Sequence, residues 1–168
     1  MAPIRINEAT AADYARLLAL NEAAVPHVNS ISEQTLTRLH EQSLGCRVAR
    51  REGLALGFLL ALPATARYES LNFRFFQARY SDFTYIDRIV VAADQRGGGI
   101  GRALYQDLIE HVPPDILRLT CEVNLRPPNP DSLRFHRLLG FEQVAEQDTE
   151  GGSKRVALLV RALGSDSA

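Results

Sequence analysis

Residues 89–111 read IVVAADQRGGGIGRALYQDLIEH, and this stretch decides the fold. Ile89, Val90 and Val91 close a β-branched run that begins near Phe83, the composition of a buried strand. Arg96-Gly97-Gly98-Gly99-Ile100-Gly101 follows. Beyond it, Ile100, Ala103, Leu104, Leu108 and Val112 recur at steps of three and four, which predicts a helix with one apolar face. Strand, glycine turn and helix in that order aim free backbone N–H groups, and the positive end of the helix dipole, at one spot. Glycines let a ligand approach the main chain closely, and such a spot favours phosphate.

Several families seat phosphates on glycine turns, and spacing separates them. The dinucleotide pattern G-x-G-x-x-G fails, because counting from Gly97 or Gly99 puts Arg102 or Leu104 at its last position. The nucleotide loop G-x-x-x-x-G-K-[ST] is absent. What fits is Arg-x-x-Gly-x-Gly, occupied by Arg96, Gly99 and Gly101. It resembles the coenzyme A-binding motif of the GNAT superfamily of N-acyltransferases. Glycines alone also suit a purely structural turn, so a second motif carries weight. Asn129-x-x-Ser132-x-x-Phe135-His136-x-x-x-Gly140-Phe141 is similar to the C-terminal signature of the same family, N-x-x-A-x-x-F-Y-x-x-x-G-F. The resemblance covers roughly residues 3–163, with 83–141 its specific part. Two positions depart from it: Ser132 replaces a small alanine, and His136 stands where the family has a tyrosine that protonates the departing thiolate.

The resemblance implies an acetyl-CoA-dependent N-acetyltransferase, and no metal is expected, because no Cys/His cluster has zinc spacing and His27, His40, His111 and His136 are scattered. It implies that the pyrophosphate rests on the amides of Gly97, Gly98, Gly99, Ile100 and Gly101, with Arg96 and Arg102 adding charge. The strand end Ile89-Val90-Val91 would hold the pantetheine, with the Val91 N–H as oxyanion donor. Asn129, Ser132, Phe135 and His136 would follow the same arm from the later helix. An amine usually attacks the thioester directly in this family, which requires a neutral amine, a donor for the carbonyl oxygen and an acid for the thiolate. His136, with a reference pKa of about 6.5, is a workable acid, and packing against the pantetheine is its plainer role. For the base, Asp87 shares a strand face with Tyr85, Ile89 and Val91, and Glu122 lies on the polar face of a neighbouring strand. A salt-bridged or solvated carboxylate is the alternative for each. A CoA-binding regulatory domain without turnover is the rival to an enzyme, and the His136 replacement is what favours it.

Composition sets bounds. The chain has 168 residues, 46% hydrophobic and 23% charged, ordinary values for one globular domain. A net charge of -1 gives no reason to expect nucleic acid or an anionic membrane as partner. The opening MAPIRINEAT has no apolar core of a signal peptide, and Cys46 and Cys121 fall in expected strands, as buried reduced thiols do. A cytoplasmic location is expected. The acceptor is expected to be a small-molecule or peptide amine, and a homodimer is possible by analogy.

The expected fold is α/β in the α+β sense, a single domain (1–168) of GNAT type: a central mixed sheet of about six or seven strands flanked by about four helices. A first strand at 3–7 is followed by a helix capped at Thr10 and ended by Pro26. A second helix starts after Ser30 or Ser32, and strands at 46–50 and 54–62 flank a turn at Glu52-Gly53. Residues 63–82 carry Tyr68, Phe73, Phe75, Phe76 and Tyr80 and have two readings. They form a helix-like segment packing aromatics on the core, or an acceptor-site wall. After the central unit come a strand at 117–123, a helix capped by Asn129 with Pro130 at its first position, and a closing hairpin at 143–148 and 154–162. Residues 164–168 read as a frayed tail.

Overall fold

The computed structural model describes residues 1–164; all but Gly164 of the expected tail lies outside the described residues. Seven strands form one mixed sheet in the order β1-β2-β3-β4-β5-β7-β6. Among the described residues five α-helices accompany it, where the sequence predicts about four. By contacts the chain forms two compact units, Met1–Leu62 with Ile86–Val112, and Pro63–Tyr85 with Pro113 onward.

The first unit begins with β1 (Arg5–Glu8) and a 3-10 turn at Ala11–Asp13, where the Thr10 N–H donates to Asp13 Oδ2 at 2.8 Å. Helix α1 (Tyr14–Ala24) follows and buries Tyr14, Leu17 and Leu20. Helix α2 (Glu33–Gln42) is capped by Ser32, whose Oγ accepts from the Thr35 N–H at 3.1 Å. Strands β2 (Gly45–Arg51) and β3 (Leu54–Pro63) form the expected antiparallel hairpin. Every residue of β3 from Ala55 to Leu62 is buried, the pattern of an inner strand covered on both faces. Strand β4 (Phe83–Val91) contributes its second half to this unit, followed by α4 (Ile100–His111), which buries Ile100, Leu104, Tyr105 and Leu108 at helical spacing. Arg47 of β2 reaches α4 with a two-point ion pair, its Nε and Nη2 at 2.7 and 3.0 Å from the Asp107 carboxylate.

The second unit opens with α3 (Leu71–Arg79), which resolves the aromatic segment in favour of the helical reading. Ser70 caps it by accepting from the Phe73 N–H at 3.3 Å. Phe73 and Phe76 are fully buried and pack edge-on or tilted against Phe83 and Tyr85 of β4, with centroids 5.3 to 6.2 Å apart. Phe83, Thr84 and Tyr85 pair in parallel with Arg118, Leu119 and Thr120 of β5 (Arg118–Arg126). Helix α5 (Pro130–Leu138) leads into the antiparallel pair β6 (Glu142–Thr149) and β7 (Lys154–Ala162), and β7 pairs with β5.

Candidate active site

In the first unit, the strand end and the glycine turn form the arrangement that the sequence predicts. Residues 96–99 are exposed while Ile100 is buried, so α4 is anchored by its first residue and its mouth faces water. Gly99 caps the helix with φ 85°, and Gly97 has φ 80°, left-handed conformations that a side chain disfavours. A Cβ placed on either glycine meets nothing within 4 Å, so the space over the turn is open to a ligand. The first helical bond of α4 runs from the Ala103 N–H to Gly99 O at 3.0 Å. The N–H groups of Ile100, Gly101 and Arg102 precede it and remain as donors at the positive end of the helix. Arg96 and Arg102 are both exposed beside them. These residues fit a pyrophosphate.

Just before this strand end, β4 carries two charged residues in an apolar run. The Arg88 guanidinium is buried and donates from Nε to Asp87 Oδ2 at 2.7 Å, and from Nη1 to Asn21 Oδ1 at 2.8 Å and Asn29 O at 3.1 Å. Asn21 also donates to Asn29 O at 2.9 Å. Asp87 has a side chain only 2% exposed. A buried ion pair is tolerated when its hydrogen bonds are satisfied, and removing one partner strands the other charge. Asp87 and Arg88 together tie α1 and the α1–α2 connection to β4.

In the second unit, Asn129 caps α5, its Oδ1 accepting from the Ser132 N–H at 3.4 Å, and Pro130 occupies the first helical position. His136, one turn beyond Ser132, is 3% exposed. Its Nδ1 lies 2.8 Å from Ser132 O, which can only accept, so Nδ1 carries the proton of the neutral ring and Nε2 is the acceptor nitrogen. Phe135 and Phe141 meet the ring edge-on, with centroids 5.1 and 5.2 Å away. Burial pulls the His136 pKa below its ordinary value, and the bond to Ser132 O opposes this in part. At neutral pH the imidazole is therefore mostly uncharged. On β5, half-buried Glu122 accepts from the Tyr85 hydroxyl at 2.7 Å. Neighbouring Cys121 is buried in the same strand, and burial pushes the Cys46 thiol up to about 12, so Cys46 is no nucleophile.

The structure thus brings Ile89, Val90 and Val91 together with the glycine turn in one unit, and Asn129, Ser132, Phe135 and His136 onto one helix in the other. The two candidate bases stand in different settings, Asp87 against a guanidinium and Glu122 against a tyrosine hydroxyl. The partners Tyr85, Arg88 and Asn21 carry no motif; the one sequence signal is a charged Asp-Arg pair inside an apolar strand. Among the described residues, no group of three or more His, Cys, Asp or Glu side chains could hold a metal ion, and no helix is long and apolar enough to cross a membrane.

Residues 13–141 match the model of the Acetyltransferase (GNAT) family. That is well over half of the chain, and the chain belongs to this family. It is similar in structure to Ard1 of Thermoplasma volcanium, with 17% identity, a TM-score of 0.76 and 95% of this chain and 97% of that one covered. It is also similar to the ribosomal-protein-alanine N-acetyltransferase of Brucella melitensis, with 25% identity, a TM-score of 0.69 and 95% and 99% covered. A third likeness is to yncA of Salmonella typhimurium, whose structure holds its cofactor acetyl-CoA, with 18% identity, a TM-score of 0.70 and 98% and 96% covered. No curated protein matches the chain by sequence. The family defines an acetyl-CoA-dependent acetyltransferase, an enzyme of the acyl-transfer class.

Proposed function

We propose that this chain moves the acetyl group of acetyl-CoA to a primary amine of a small molecule or peptide, by direct attack with both substrates bound. The observation that carries this reading is the open, positively polarised mouth of α4 behind Arg96, whose donors and space suit the pyrophosphate of CoA. Acetyl-CoA supplies an activated thioester. Gly97, Gly98, Gly99, Ile100 and Gly101 bind its pyrophosphate through main-chain N–H groups, with Arg96 and Arg102 as charge partners. The end of β4 orients the pantetheine, and the Val91 N–H is the donor for the carbonyl oxygen.

Glu122 is the proposed base, taking the amine proton directly or through water, with Tyr85 fixing its orientation. Asp87 is the second candidate; its burial against Arg88 favours a supporting role instead. His136 is the proposed acid for the leaving thiolate. Its lowered pKa makes the imidazolium a stronger but scarcer donor. The rate should then fall as pH rises through that lowered pKa, and a profile flat across that limb assigns His136 to packing. A cytoplasmic location is proposed on the buried cysteines Cys46 and Cys121, read as reduced thiols.

Free thiol released from acetyl-CoA, measured across a panel of amines and peptide N-termini, tests the reading. Acceptor-dependent release with intersecting initial-rate lines supports direct transfer, whereas parallel lines indicate an acyl-enzyme. CoA binding with no release for any acceptor points to the non-catalytic, CoA-binding alternative.

A further inference from the structure

Gly57 sits in the middle of β3 and, among the described residues, is the strand glycine whose missing side chain is filled by a neighbour's backbone. A Cβ built there would lie 2.8 Å from Val90 O, 3.3 Å from Val91 Cα and 3.4 Å from Ile100 Cγ2. The first distance is shorter than real Cβ contacts allow, and its partner is main chain, which cannot swing aside. Restoring an ordinary van der Waals separation requires β4 to move by roughly half an ångström.

The same place carries a second irregularity. Ala49 of β2 pairs with Gly57 and Arg50 pairs with Ala55, so Leu56 is an extra residue in β3. A bulge of this kind turns a backbone group away from its ladder. The Leu56 carbonyl accepts from the Ala92 N–H at 2.8 Å, one residue past the end of β4. At the end of the same hairpin, Arg51 donates from Nη1 to Gln95 Oε1 at 3.1 Å, immediately before Arg96. Three contacts from β2 and β3 therefore fall on residues 90–100, at the strand end, at the residue after it and at the entry to the glycine turn.

We propose that Gly57, with the bulged Leu56 beside it, is the positioning residue of the CoA seat. It sets the height of Val90 and Val91 and the start of α4, and touches no substrate itself. This rests on the reading of the glycine turn as a CoA seat given above. The role is distinct from core packing, since the space is taken by the carbonyl and Cα of the segment proposed to face the cofactor.

The test compares CoA affinity, by calorimetry, and thermal midpoint for the wild type, Gly57→Ala, Arg51→Met and Val48→Ala. Val48 is fully buried in β2 and outside the seat, so its truncation reports general destabilisation. The expected result is CoA binding about tenfold weaker in Gly57→Ala, with a smaller loss in Arg51→Met and none in Val48→Ala. The KM for acetyl-CoA should rise more than kcat falls in Gly57→Ala. Unchanged affinity in folded Gly57→Ala overturns the inference, as does an equal loss in Val48→Ala. If Gly57→Ala does not fold, Arg51→Met decides: weaker binding at a preserved midpoint supports the inference, and unchanged binding overturns it. A wild type that does not bind CoA overturns the function reading itself, and this inference with it.

Discussion

At His136, burial and the need for a transferable proton pull in opposite directions. Its unfolded pKa is about 6.5 and its folded pKa is lower because the charged ring loses its water. Between the two values the unfolded chain binds a proton that the folded chain does not. Stability should therefore fall as pH drops from about 6.5 through that window, and be independent of this group above it. Thermal midpoints at about pH 5.5 and about pH 7.5 for the wild type and His136→Phe check this. The variant should lose part of the acid-side decline, and an identical decline in both would contradict it. The two carboxylates should differ in what their loss costs. Glu122→Gln should lower kcat by roughly 100-fold or more with little change in midpoint. Asp87→Ala should cost about 3–5 kcal/mol of stability, measured by denaturant unfolding, because it removes the carboxylate that balances the buried Arg88 guanidinium. A stable, inactive Asp87→Ala would move the base role to Asp87. Both carboxylates were legible as candidates, since period-two alternation places them on strands. Their partners were not. Arg88 meets Asn21 and Asn29, and Tyr85 meets Glu122, across sequence distances that no local pattern spans.

Among the elements, those with one strong local signal were legible nearly to the residue. Strand β7 has the expected bounds, α5 starts at the Asn-Pro cap, and α4 follows the apolar steps after the glycines. Helix α3 was not, because Phe75 lies off the face that Phe73 and Phe76 share and blurs the stripe, and because its cap rests on Ser70 alone. The core position of Phe73 and Phe76 explains the aromatic density without an acceptor wall. Phe73→Ala should cost about 3–5 kcal/mol in denaturant unfolding, a large-to-small change at a fully buried site. A Phe73→Ala variant of unchanged stability and altered acceptor preference would restore the wall reading. Gly57 shows the limit of local reading in another form. A glycine inside LALGFLLALP signals a close approach, but the strand that approaches it is more than thirty residues away in sequence.

For the molecule as a whole, seven strands in the order β1-β2-β3-β4-β5-β7-β6, the GNAT family match and the two motifs agree on an acetyl-CoA-dependent acetyltransferase. Element order made the architecture legible, since a strand, two helices, a hairpin, a strand-turn-helix and a closing hairpin leave few arrangements open. The division into two compact units was not legible, because its boundary at Tyr85 and Ile86 falls inside β4, where composition does not change. The proposed chemistry depends first on the glycine turn seating CoA. The most direct measurement is the thermal midpoint with acetyl-CoA, CoA or NAD added, for the wild type and for Gly99→Glu, which puts a carboxylate and a strained residue at the mouth of α4. A ligand at about 100 times its dissociation constant should stabilise the wild type by about 2.7 kcal/mol. The midpoint should rise with both CoA species, stay unchanged with NAD, and lose its response in Gly99→Glu. No shift with either CoA species, or an equal shift in Gly99→Glu, would contradict it.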